Sequence, residues 1–363
     1  MATKSEINNR RGLKNVLIAR FTAITDVVLT IPVVYSACRC YPNINFYLIT
    51  RPSMTSMFID APKNLKVIGV NIKNDYRGIG GARRLVKELS CKYAIDAFVD
   101  LQNDSYSRWI RLFCHFKKIL TASINNPIKE SKPLIRKNNK VMLPLSSMRA
   151  RYREAFFRIG LPIQERFKGY FEKGAADASA FADITQPKSG DEIWIGIAPF
   201  AKHKGKMYPL ASMEKVVDDL SQIPRVKIFL FGGGDEEQQV LNNWVKKYER
   251  VQSLADRRYG FPTELALMNH LDVMVTMDSA NMHLATLVKT RVITIWGATH
   301  PYCGFKGWHQ KEENMIQLPM TCRPCSMFGD KPCLRGDYHC LAAISPQIII
   351  ETVRAFIINN NNG

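Results

Sequence analysis

A chain of 363 residues is long enough for two domains of ordinary size, and a hydrophobic share of 46% lets each bury a core. No apolar run approaches the roughly 18 residues of a membrane-spanning helix. Residues 1–14 are polar and basic, and the apolar stretch after them is short and broken by Arg20 and Asp26. That pattern is not a signal peptide, so the cytoplasm is the expected compartment. An excess of 51 basic over 32 acidic residues, a formal charge of +19, favours anionic partners. Without a zinc-finger, RNP-like or basic-zipper signature, nucleic acid is the weakest of these, and none is expected to bind.

In chain order, strand and helix alternate. Residues 16–20 read as a strand, and 26–41 as a helix with Pro32 inside it and Pro42 ending it. Strands follow at 45–50 and 65–70, then a Gly-rich loop and a helix near 79–92. A strand at 95–101, a helix near 105–116 and a strand near 118–122 complete the first series. Residues 129–153 carry eight Lys or Arg against the single acid Glu130. They read either as a solvated basic face or as a landing surface for an acidic acceptor, with Arg149, Arg151 and Arg153 as candidates. Residues 170–191, rich in Gly, Ala, Ser, Pro, Lys and Asp, read as the domain linker.

A second series then begins: strands at 193–199 and 226–231, helices at 210–221, 235–247 and near 263–270. A strand ends at Asp278 and another runs over 291–296. The last helix is expected at about 346–358, with a frayed tail over 359–363. Short strands alternating with 10–15-residue helices indicate parallel βαβ units. The expected architecture is α/β: a domain over 1–180, a second over 190–345, and a final helix over 346–363. Ligands of open α/β sheets bind outside the carboxyl ends of the strands, so the loops there are the candidate sites.

Asp26 begins the helix after the first strand, where the helix dipole stabilises its anion. It is either a helix cap or a general base able to take a proton from an acceptor hydroxyl. The strand at 193–199 exits into a loop holding Lys202, Lys204 and Lys206. Three cations there suit a diphosphate, and a leaving nucleoside diphosphate needs its developing charge met. No Asp-x-Asp pair stands out as a metal site. Gly232, Gly233 and Gly234 close the next strand and allow close backbone approach to a ligand, with Asp235 or Glu236 able to contact a ribose. The spacing is not that of a dinucleotide fingerprint.

The strand ending at Asp278 turns straight into a helix at Ser279, a good N-cap residue. The amides of Ser279, Ala280, Asn281 and Met282 would then point at an anion. An acid beside them cannot hold phosphate but can accept hydrogen bonds from sugar hydroxyls, so a nucleotide-sugar suits the site. An ordinary capped turn is the plain alternative. His283 lies one turn into that helix, either packed or ligand-facing. Residues 296–301, Trp-Gly-Ala-Thr-His-Pro, close the next strand.

Taken in order, these pieces closely resemble the ADP-heptose:lipopolysaccharide heptosyltransferases, glycosyltransferase family 9. The resemblance rests on residues 16–20 leading to Asp26, on 196–199 with Lys202 and 206–209, on Gly232 to Gly234, and on Asp278-Ser279-x-x-x-His283-Leu284-Ala285 with 296–301. It implies a GT-B fold whose last helix crosses back to the first domain. The amino-terminal half would hold the acceptor and the carboxy-terminal half the nucleotide-sugar. It further implies inversion at the anomeric carbon with no metal needed for the chemistry. By the same resemblance Asp26 is the base, Lys206 and Lys202 meet the donor phosphates, and Asp278 contacts the donor sugar. The partners implied are ADP-heptose and an anionic glycolipid at the cytoplasmic face of the inner membrane, met peripherally. Two positions depart from the family's pattern, Thr25 and Ala280, where glycine is usual.

Nine cysteines are present. Cys322, Cys325, Cys333 and Cys340 form a C-x2-C…C-x6-C arrangement that would offer four thiolates to structural Zn²⁺. Reduced, packed cysteines or a pair of disulfide bridges are the alternatives, and a cytoplasmic setting disfavours the bridges. The reading is therefore an inverting glycosyltransferase without a required cofactor. Two others stand beside it: a nucleotide-sugar 2-epimerase on the same fold, and an inactive glycolipid-binding homologue.

Overall fold

The computed structural model describes residues 12–360. The start of the basic amino terminus and residues 361–363 of the expected frayed tail lie outside the described residues. Two compact units divide the chain, one comprising 1–127 and 146–168, the other 128–145 and 169–363.

The first unit opens with β1 (Asn15–Ala19), whose residues after Asn15 are buried, as a central parallel strand requires. The single helix expected at 26–41 is instead two, α1 (Ile24–Val28) and α2 (Ile31–Cys40). Pro32 has no N–H and its ring collides with the preceding turn, so a helix starts there rather than running through. Next come β2 (Asn45–Thr50), β3 (Leu65–Gly69), α3 (Gly78–Tyr93), β4 (Ala97–Asp100), α4 (Ser105–Phe116) and β5 (Leu120–Ser123). All pairings are parallel, in the order β3-β2-β1-β4-β5. After α5 (Pro127–Ile135), α6 (Met148–Arg158) returns to this unit.

The second unit carries β6 (Ile193–Ala198), α7 (Leu210–Ser221), β7 (Val226–Leu230), α8 (Asp235–Lys247), β8 (Val251–Ser253) and α9 (Phe261–His270). It continues with β9 (Val273–Met277), α10 (Ala280–Leu287), β10 (Val292–Trp296), β11 (Met315–Gln317), α11 (His339–Ala342) and α12 (Pro346–Asn360). The six strands are parallel in the order β11-β10-β9-β6-β7-β8. Both sheets therefore reverse strand order, at β1/β4 and at β6/β9. Such switch points open a crevice at the carboxyl ends of the strands.

Three expectations about organisation are corrected. Residues 170–191 are no linker: Phe181 is fully buried edge-on to Trp194, and the Tyr170 and Ala176 amides donate to Leu287 O and Asn269 Oδ1. Their small and polar composition forms a mostly exposed segment of the second unit, anchored by buried Tyr170, Ala176, Phe181 and Thr185. Residues 128–145, expected in the first half, also belong to the second unit, where Leu145 N donates to Tyr302 O and Lys140 Nζ to Pro324 O. Likewise α12, expected as a separate final helix, belongs to this unit. Its Ile349, Ile350, Val353 and Ile357 join the core beside α7, and Arg354 pairs with Asp219. An apolar face matched to an adjacent apolar groove decides its place.

Candidate active site

Asp26 sits in the first turn of α1, beyond the carboxyl end of β1 at the first switch point. The turn before it is strained: Ala23 takes φ 49°, a left-handed conformation that a Cβ disfavours. Gln102, after β4, holds the turn in place. Its Oε1 accepts from the Phe21 and Thr22 amides, and its Nε2 donates to Asp104. Asp100, fully buried, accepts from the Gln102 and Asn103 amides and pairs with Arg111 at 2.9 Å. Burial raises the Asp100 carboxyl above its ordinary value, and these contacts oppose that rise.

A residue with no assigned role in the sequence, Arg20, completes this half-site. It ends β1, is 6% exposed, and lies 2.5 Å from the Asp26 carboxylate. Its guanidinium also donates to Leu101 O and lies over the Tyr152 ring. Burial pulls the Arg20 pKa down, but Tyr152 and Asp26 more than restore it. The Tyr152 hydroxyl donates to the Asp26 carbonyl, and burial raises its own pKa. Asp26 keeps the most solvent access of the three, 20% for its side chain. It is thus an aimed carboxylate at a strand end.

In the second unit the lysine loop follows β6 and Asp278 follows β9, the two strands of that sheet's switch point. Lys206 lies in a 3-10 turn (Lys204–Lys206) and its Nζ is 3.1 Å from Asp278 Oδ2. Asp278 is nearly buried and takes a further hydrogen bond from Thr299 Oγ1 at 2.9 Å. Three glycines make this packing possible. A Cβ on Gly329 (φ +75°) would lie 2.4 Å from Lys206 Cγ, one on Gly205 2.9 Å from Gly329 O, and one on Gly297 2.6 Å from Gly205 O. Arg323, buried, donates to Gly297 O, Leu318 O and Thr299 O, locking the loop that carries Thr299. Lys202 is exposed and has no ion pair among the described residues.

Ser279 is the N-cap residue of α10 but does not cap it. Its hydroxyl shares a hydrogen bond with Thr276 Oγ1 instead. The helix start therefore has no side-chain acceptor of its own, which leaves its amides for a ligand. Ala280 and Asn281 are half-buried at that start. Met282 is fully buried, so only its backbone can take part. His283, expected to meet the donor, is 2% exposed in α10.

Of the Gly-rich turn, Gly232 is packed so closely that a Cβ would lie 2.9 Å from Leu241 Cδ1, while Gly233 is open. Asp235 and Glu236 point into solvent. Glu237, overlooked in the sequence, folds back to accept from the Gly233 amide at 2.8 Å, and burial raises its pKa.

The three arginines proposed for acceptor contact sit on α6 and are engaged within the first unit. Arg151 is buried with its Nε on Ser146 O, and Arg153 pairs with Glu165 at 3.6 Å. Arg149 has its pKa lowered by burial. Helix periodicity turns Arg151 inward and leaves Arg153 at the surface, which a count of charges does not register. The nine cysteines are free thiols. Cys322, Cys325, Cys333 and Cys340 line one small pocket, but no group of three or more His, Cys, Asp or Glu among the described residues is arranged to hold a metal ion. Burial raises the Cys325 thiol and takes Cys340 to about 11, which keeps both protonated.

The model of glycosyltransferase family 9 (heptosyltransferase) matches residues 82–333. The chain belongs to glycosyltransferase family 9. This family 9 enzyme, a glycosyltransferase, is 22% identical over 338 residues to lipooligosaccharide heptosyltransferase 2 of Campylobacter jejuni, covering 92% of the chain and 96% of the relative. It is 29% identical over 128 residues to lipopolysaccharide heptosyltransferase 3 of Escherichia coli K12, about a third of each chain. Its fold matches a family 9 glycosyltransferase of Veillonella parvula with TM-score 0.71 at 15% identity, over 95% and 98% of the two chains. It also matches E. coli heptosyltransferase WaaC with ADP, TM-score 0.63 at 17% identity, over 94% and 99%. The fold is accordingly GT-B, as the two doubly wound sheets indicate.

Proposed function

We propose that this enzyme transfers heptose from ADP-heptose to a lipopolysaccharide core or related cell-surface glycan, inverting the anomeric centre without a catalytic metal. The observation that carries this reading is the Lys206–Asp278 pair beside the uncapped start of α10. A cation and free helix amides meet a diphosphate, and the adjoining buried carboxylate meets sugar hydroxyls. Relatives named as lipooligosaccharide and lipopolysaccharide heptosyltransferases support the sugar, and structures of WaaC with ADP and with an ADP-2-deoxy-2-fluoro heptose support the nucleotide.

In this mechanism Asp26 takes the proton of the acceptor hydroxyl as its oxygen attacks the anomeric carbon. The bond to the diphosphate oxygen breaks, and ADP leaves with its charge met by Lys206, Lys202 and the amides of Ser279 to Met282. The acceptor would be an anionic glycolipid met at the cytoplasmic face of the inner membrane. Residues 128–145 favour such peripheral contact. Lys129, Lys132, Arg136 and Lys137 are exposed there beside exposed Ile128, Met142 and Leu143, a combination suited to an anionic bilayer surface. No helix of the described residues is long and apolar enough to cross a membrane.

The direct test is a thermal-shift panel of ADP, UDP and GDP with and without attached sugars. ADP-heptose should stabilise the chain most, and a response confined to UDP or GDP sugars would replace the donor. Turnover should survive excess chelator, and retention of configuration in the product would rule out inversion by Asp26.

A further inference from the structure

A second pocket lies at the opposite edge of the second sheet. It is formed where α10 turns into β10 and where the loop after residue 307 enters β11, at the amino ends of both strands. Asp278, Lys206 and Thr299 sit beyond the carboxyl ends of the neighbouring strands, about 15 Å away along five-residue strands rising ~3.3 Å per residue. The cavity holds about 470 Å³, within the range of small-molecule sites.

Its walls are built and polar. Thr286 Oγ1, nearly buried, accepts from the Trp308 amide at 3.2 Å, and Gln310 donates to Thr294 Oγ1 at 2.8 Å. A Cβ on Gly307 would lie 2.8 Å from Thr286 Cγ2, so this turn is held tightly against the helix. Two features of the lining then lack a partner. Lys289 and Arg291 form no ion pair or hydrogen bond through their side chains among the described residues; Arg291 only lies over the Phe356 ring at 5.8 Å. Asn314 lines the pocket and forms no side-chain hydrogen bond among the described residues, so its amide is open to a ligand there. Lys311 adds a third cation, with Glu313 at 3.4 Å as the lining's one acid, both well exposed.

We propose that this pocket is a second binding site, specific for a phosphate-bearing saccharide. Lys289, Arg291 and Lys311 meet the phosphoryl oxygens and Asn314 hydrogen-bonds the sugar. The Phe356 ring and the wall at Trp308 give the apolar face on which a pyranose packs. The cavity is several times larger than a phosphate ion, which is why the ligand is a sugar phosphate rather than phosphate alone. The inference stands apart from the glycosyl-transfer reading, since no residue of the pocket is shared with the donor or base half-sites.

The test is calorimetric titration of the full chain with glucose 1-phosphate. Binding should persist in Lys206→Met, weaken at least tenfold in the double variant Lys289→Gln/Arg291→Gln and in Asn314→Leu, and be at least tenfold weaker for uncharged glucose. Both cations are exposed, so the double variant should keep its melting temperature. A control pair on α3, Lys87→Gln/Lys92→Gln, should leave the affinity unchanged. No binding at millimolar ligand, loss of binding in Lys206→Met, equal affinity in the double variant, or an equal loss in the α3 control would each overturn the proposal.

Discussion

Both units place an acid–base pair at the switch point of their sheet, but the two pairs are built with opposite polarity. In the first, the cation is anchored: Arg20 is 6% exposed and tied to Leu101 O, while the Asp26 side chain keeps 20%. In the second, the acid is anchored: Asp278 is 4% exposed and tied to Thr299, while Lys206 keeps 16%. The member left reachable differs accordingly. One half offers a carboxylate, suited to a hydroxyl proton, and the other offers an ammonium, suited to phosphate. The same local motif, an ion pair at a strand end, thus serves two chemistries according to which partner the surrounding backbone holds.

The largest effect should come from removing the reachable acid. Asp26→Asn should lower kcat by about 10²–10⁴ while leaving ADP affinity, measured by calorimetry, nearly unchanged. Substantial turnover would break the contrast drawn between the halves. Lys206→Met should instead weaken ADP binding by about 1.5–3 kcal/mol, roughly ten- to hundredfold. It also strands the buried Asp278 charge, so the melting temperature should fall, and partial recovery in Lys206→Met/Asp278→Asn would confirm the cause.

A smaller change probes the backbone that aims the lysine. Gly329→Ala imposes a Cβ at φ +75° against Lys206 Cγ and should cost about 1–3 kcal/mol of stability, with ADP affinity falling as the side chain is displaced. Unchanged ADP affinity in a folded variant would show that Lys206 needs no such support. The smallest effect concerns an acid with no cation beside it. Glu264, in the first turn of α9, is raised by burial from 4.5 to about 7. Its contribution to stability is present below about 4.5 and is lost as pH rises through about 7. Glu264→Gln should therefore flatten the melting temperature's decline over that window. A pH profile identical to the parent chain would show that this carboxyl is not raised.

The order of elements was legible because buried parallel strands read as short apolar runs and their helices as amphipathic ones. The three-residue strands β8 and β11 were not, since a run such as Val251-Gln-Ser shows no periodicity to read. Within the candidate site, Asp26, Lys206 and Asp278 were visible as charged residues at strand ends. Arg20 was hidden because a charge closing an apolar strand looks incidental until its partners are in view. Glu237 was passed over for its neighbours Asp235 and Glu236, since only the turn's geometry shows which of three consecutive acids folds inward.

By itself, the amino-acid sequence determined two doubly wound α/β units and the strand ends that carry charge, because side-chain periodicity and turn chemistry are local properties. Only the tertiary structure decided which charges meet and which are spent. It paired Lys206 with Asp278, buried Arg151 and His283, drew 128–145 and the last helix into the second unit, and set the Asn314 side chain on the wall of the second pocket. Those outcomes depend on burial and on contacts between residues far apart in the chain, which no local pattern encodes.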